Sequence, residues 1–180
     1  MATALFITRK QLVQNSILDG NVDTDKFIQF IKIAQEIHIR NYLGTDLYNK
    51  ISTDIAASNL SGAYLTLVRT YIQPMLIHYA MADYIPFAAY QIKNGGVFKH
   101  TSENAETVSK NEIDYLVKKE RDIAEYYTRR FIDFMSFNQS SYPEYTSNTN
   151  EDIDPDKDSL FNGWVLWKEK VNQKIKMCKN

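Results

Sequence analysis

Apolar positions recur along most of this chain at the three-and-four spacing of helices, and almost nowhere at the alternation of strands. "FITRKQLVQNSI" opens with a short apolar run and passes into a helical pattern at Leu12, Val13, Ser16 and Ile17. "LDGNVDTD" is turn chemistry, with Asp23 or Thr24 placed to cap the next helix. From Asp25 to Tyr42, Phe27, Ile31, Ala34 and His38 share one face and Ile28, Gln35 and Ile39 flank it. Such breadth predicts a helix buried on more than one side. In "NYLGTDLYNKI", Gly44 suits the left-handed position that ends a helix. Thr45 can cap the next helix, whose inner face is Leu47, Tyr48 and Ile51. "AASNLSGAY" is a loop with Ser61 or Gly62 near a new start. Leu67, Tyr71, Met75, His78 and Ala82 then carry a helix to about Ile85, with Pro74 marking a kink or the first turn of a second helix. A last long helix spans Glu112 to Phe137. Its spacing points Ile113, Leu116, Val117, Ile123, Tyr127, Phe131 and Phe134 inward, and its outer face mixes Lys118, Lys119, Arg121, Arg129 and Arg130 with acids.

Three stretches break the pattern. "NGGVFKHTSENAETVSKNE", Asn94 to Glu112, is polar and holds the chain's one Gly-Gly pair. It reads either as a mobile loop or as an ordered arm: Gly95 and Gly96 would make a hairpin turn, Val97 and Phe98 a short strand, and His100 an exposed polar position. Residues 138–158 are acidic and turn-rich, a linker by composition. Beyond them Leu160, Trp164, Trp167, Val171, Ile175 and Cys178 form one stripe on a Lys-rich segment, 159–180. That stripe either folds back on its own bundle or docks on another chain with two Trp anchors. The predicted fold class is mainly α: a small helical bundle over 1–137, a polar loop or β-hairpin excursion near 94–111, an acidic linker over 138–158 and a detached C-terminal amphipathic helix.

Composition narrows the classes. The chain has 180 residues, enough for one core, and 21 basic against 22 acidic residues, so no global field draws in nucleic acid or an acidic membrane. Twelve Tyr and nine Phe are many for this length and suit interfaces. Cys178 stands alone, which excludes a disulfide scaffold and fits a reducing, intracellular origin. The opening residues are not a signal peptide. The apolar stretch Thr70–Ile92 contains Gln73, Pro74, His78, Asp83 and Pro86, which suits a buried central helix better than a membrane span.

A search for chemistry finds no constellation. His38, His78 and His100 are scattered, without HExxH spacing, and there is no phosphate loop, dinucleotide fingerprint or nucleophile elbow. The alternating Asp152, Asp154, Asp156 and Asp158 lack the glycine and distal glutamate of a calcium loop. "ITRKQLVQNS" opens somewhat like a helix-turn-helix, but no basic recognition helix comes after it. The expectation is a protein with no catalytic, metal or cofactor site.

Three elements in order resemble the adaptor proteins that build head-to-tail connectors of tailed bacteriophages, particularly crAss-like phages infecting gut Bacteroidetes. They are "FITRKQLVQNSI…DKFIQFIKIAQEIHIRNYLGTDLYNKI", centred on the junction Leu43–Tyr48 that includes Gly44, Thr45 and Tyr48; the apolar helix followed by "NGGVFKHTSENAETVSKNE"; and the helix ending "RRFIDFMSFNQSSYPEY". Together they cover about residues 5–145. The resemblance implies a non-enzymatic helical subunit of a homo-oligomeric ring of about twelve copies, in the virion neck between portal protein and tail. Such a ring assembles in the host cytoplasm, touches no membrane and passes genomic DNA without reading it. On that reading Gly95, Gly96, Val97, Phe98, His100, Trp164, Trp167 and Val171 are interface candidates, and the acidic stretch or the basic tail could line the channel. Rival readings are another head- or tail-completion protein of the neck, a helical intracellular regulator or nucleic-acid-binding protein, and an enzyme with a site built across helices.

Overall fold

The computed structural model describes residues 4–18, 24–88, 90–93, 96–99, 109–147, 149 and 152–157, with the backbone alone for 24–26 and for the strands. It is mainly helical. Helix α1 is Arg9–Gln14, opened by a capping box between Thr8 and Gln11. Helix α2, Thr24–Ala34, runs through a π-turn, Gln35–Ile39, into α3, Arg40–Ala56. Helix α4, Gly62–Leu67, runs through a second π-turn, Val68–Ile72, into α5, Gln73–Ala88. Strands β1, Tyr90–Lys93, and β2, Gly96–Lys99, form an antiparallel ribbon. Helix α6, Lys110–Asn138, starts on a second capping box, Ser109 with Glu112, and a 3-10 turn leads to the short α7, Pro143–Ser147.

The long apolar helix is central, as its pattern predicts. Helix α5 packs chiefly against α6 and, on another side, against α2. Met75, Leu76, Ile77, Ala80, Met81 and Ala82 are all buried. No helix among the described residues is long and apolar enough to cross a membrane.

The π-turns have separate causes. The second comes just before Pro74, whose ring would collide with the carbonyl four residues back in a regular helix. The wider turn, closed by the Gln73 N–H on Val68 O, delivers the chain to that proline, the second residue of α5. The first widens the helix at Gln35, whose amide is fully buried. Gln35 Oε1 accepts from the Phe6 N–H at 2.8 Å, and its Nε2 donates to Ala4 O and to the Tyr48 hydroxyl. Gln73 Nε2 donates to Phe6 O at 2.8 Å. One glutamine beside each π-turn thus satisfies the backbone of the same residue and pins the N-terminal segment to the bundle.

Several expectations need correction. Helix α1 stops at Gln14, and Ile17 is exposed. The excursion begins earlier than Asn94: the end of the apolar run, Tyr90–Lys93, is a strand. Gly96 sits in β2 opposite Lys93 instead of in the turn. Helix α6 keeps most of its predicted face inward, with Ile113 and Phe131 buried and Val117, Tyr127 and Phe134 packed partly buried against the core. Its buried line is Ile113, Glu120, Ala124, Thr128, Phe131 and Met135, whereas Leu116 and Ile123 are exposed. The described part of 138–158 is not a solvated linker. Tyr142 and Tyr145 are buried, and Thr149 and residues 152–157 lie along α3.

Candidate functional site

Helix α3 breaks at Gly44, where φ is +73°. The break leaves the Thr45 N–H and the Asn41 carbonyl without helical partners, and the chain supplies them from more than a hundred residues away. Thr45 N–H donates to Ile153 O at 2.9 Å, and the Asp156 N–H donates to Asn41 O at 2.9 Å. Thr45 does not act as a helix cap through its side chain here; its Oγ1 accepts from the Ile153 N–H and donates to Asp152. Arg40 Nη2 meets Asp152 Oδ2 at 2.6 Å, and Asp46 accepts from the backbone and hydroxyl of Thr149. Pro155 lies directly on Gly44, so close that a Cβ there would sit 2.6 Å from Pro155 Cδ. Glycine is required twice at this point, for its φ and for its missing side chain. Of the predicted junction residues, Gly44 and Thr45 lie under a strap the sequence did not reveal, and Tyr48 faces Phe6, Gln35 and Glu36. Tyr48 donates to Glu36 at 2.6 Å, and burial pushes its hydroxyl up to about 12.

The strap runs antiparallel to α3, from Thr149 at Asp46 to Asp156 at Asn41, and Lys157 ends over the Tyr145 ring. Just before it, Tyr142 donates to Ala63 O, and Tyr64 donates to Glu144 at 2.6 Å. The segment is therefore a fixed root for the chain beyond residue 157.

Two polar clusters lie between the helices. His78 Nδ1 is 2.7 Å from Glu120 Oε2, and His38 Nε2 is 3.6 Å from Asp83. Each imidazole stacks on a tyrosine, Tyr127 and Tyr79 respectively. Thr128 gives its proton to Ala124 O, so the Tyr79 hydroxyl donates to Thr128 Oγ1 at 3.1 Å. The His78 and Tyr79 contacts join α5 to Glu120 and Thr128 of α6, and the half-buried His38–Asp83 pair joins the first π-turn to α5. Among the described residues no group of His, Cys, Asp and Glu could hold a metal ion.

The exposed apolar residues fall on two faces. On α6, Leu116, Ile123 and Phe137 fall at multiples of seven residues and Tyr126 lies one turn from Ile123, with Phe137 87% and Tyr126 59% exposed. On α2 and its π-turn, Ile33 and Ile37 stand one turn apart, and the Phe87 ring lies 5.2 Å from that of Phe30. Of the residues nominated from sequence for interfaces, Gly96, Val97 and Phe98 are in β2. Gly95, His100, Trp164, Trp167 and Val171 lie outside the described residues.

A family model for a family of unknown function, DUF6712, matches residues 39–155. The chain belongs to that family. The DUF6712 match begins at the end of the first π-turn and ends on Pro155, the residue that covers Gly44, so its two ends meet at the strapped junction. No curated protein and no solved structure matches.

Proposed function

We propose that this DUF6712 protein is a structural subunit of a homo-oligomeric ring, about twelve copies around, in the neck of a tailed phage. It would lie between portal protein and tail, where the ring extends the channel for genomic DNA. The supporting observation is the pair of unlike apolar faces, one on α6 and one on α2 with Phe87, carried by two helices that each pack on α5. A subunit in a closed ring offers a different face to each neighbour. A large exposed apolar surface on a soluble bundle marks an interaction site. The resemblance of the junction, the ribbon region and the end of α6 to phage connector adaptors supplies the setting. No catalysis belongs to this reading.

Native mass spectrometry across a concentration series tests it. A closed species near twelve copies is expected, and Ile123→Asp with Tyr126→Asp should leave a helical monomer that no longer closes. Monomers at every concentration, together with salt-sensitive binding to duplex DNA, would move the chain to the regulator class.

A further inference from the structure

Along the outside of α6, Lys119, Ile123, Tyr126, Arg130, Asp133 and Phe137 follow one another at alternating steps of four and three residues. That is the spacing of a seam on which one helix pairs with another. All six are exposed, so no other described element covers the line. Its last four members form a short sequence of their own, with an aromatic ring at each end and opposite charges between. The Arg130 guanidinium lies 5.1 Å from the centre of the Tyr71 ring, which holds it beside the seam. Within the described residues neither Arg130 nor Asp133 has an ion-pair partner.

We propose that the C-terminal half of α6 pairs antiparallel with the same half-helix of a second copy of this chain, about a two-fold axis at the level of residues 131 and 132. In that register Tyr126 meets the partner's Phe137 and Arg130 meets the partner's Asp133. Beyond the axis the same contacts recur in reverse order, so one patch is complementary to itself. The charges select this arrangement. A parallel pair would set Arg130 against Arg130 and Asp133 against Asp133. Sliding the antiparallel pair by seven residues sets Asp133 against Ile123. Sliding it by fourteen sets Arg130 against Lys119. Only the first register gives every charge an opposite charge, and polar residues on an apolar seam fix register in this way. Helix α6 ends at Asn138, so the contact runs for about 16 Å, from Tyr126 to Phe137. A seam that short makes a weak, reversible dimer. The pair does not depend on the ring reading. It occupies the α6 face that the ring reading gives to one neighbour, so pair and ring contact exclude one another, and the dimer is the form of the chain outside the ring.

Native mass spectrometry and sedimentation over a concentration series at low salt test the pair. Arg130→Asp and Asp133→Arg change exposed positions and leave Ile123 and Tyr126 in place, so circular dichroism should show both variants folded. Each variant alone makes the charged layers like-signed and should raise the dimer dissociation constant at least tenfold. Mixed one to one, the two variants should dimerise again, because the acidic seam of one faces the basic seam of the other. Both changes in a single chain should also restore the dimer. A wild-type chain that stays monomeric at every concentration overturns the proposal. So do dimers indifferent to either reversal, or variants that stay apart when mixed. A closed ring that neither reversal disturbs, with no two-copy species below it, removes the pair and leaves the ring; charge-sensitive dimers with no larger species do the reverse.

Discussion

Two polar stretches, 94–112 and 138–158, look alike in composition and behave differently in the fold. The second turns back at Tyr142 and Tyr145 and lies along α3, where its backbone completes a broken helix. The first grows out of the end of α5 as a two-stranded ribbon whose pairing is with itself. Polar composition therefore says little about whether a segment is solvated. The deciding factor is whether another element has unpaired backbone to offer. The break at Gly44 offers an N–H and a carbonyl, and the strap supplies their partners.

If that contrast is right, perturbing the strap side should cost stability and perturbing the ribbon should not. The largest effect is expected from alkali. Burial pushes up the hydroxyls of Tyr48 and Tyr145 to about 12, and those of Tyr42 and Tyr64 further; Asp156 of the strap adds to the shift at Tyr145. Their folded values lie above the unfolded value, so the stability they contribute is complete below about pH 10. It is lost as pH rises through the folded values, and denaturant midpoints should fall steadily from about pH 10 to 12. Next is Gly44→Ala, which combines a left-handed backbone with a collision against Pro155. A loss of about 3 kcal/mol is expected in chemical denaturation. Asp152→Ala removes a half-exposed ion pair and one hydroxyl contact, so about 1 kcal/mol or less should go, and less still in high salt. Phe98→Ser in β2 should move the midpoint by under about 0.5 kcal/mol. A loss there as large as that of Gly44→Ala would mean that the ribbon, too, is part of the core.

Much of the fold was legible because helix periodicity survives in a single sequence. Gly44 and Pro74 were readable too, since glycine alone enters the left-handed region at little cost and proline fixes φ. The inward face of α6 was legible only at its apolar positions. Glu120 and Thr128 point inward because His78 and Tyr79 on α5 supply their partners, and the pattern of one helix cannot show what a second helix brings. The π-turns were hidden as well. Each adds a residue to a turn and rotates the rest of the helix by about 100°, which helps leave Ile37 exposed within a run that looked buried all round. The candidate surfaces fared as their local signals did. The ribbon was foreseeable from "NGG", although the strand before Asn94 was not. The strap was not, because its partners are 103 to 115 residues away in sequence.

That separation also bears on how the molecule is made. Residues 40–48 leave the ribosome early, yet their open backbone groups find partners only when residues 149–157 have been synthesised. Closing so long a loop is slow compared with forming local helix. The junction is therefore among the last parts of the bundle to be sealed, and the root of the C-terminal segment becomes fixed in the same step. A chain truncated before the strap would leave the Thr45 N–H and the Asn41 carbonyl unpaired, so the order of synthesis keeps the junction open until the end of the bundle has been made.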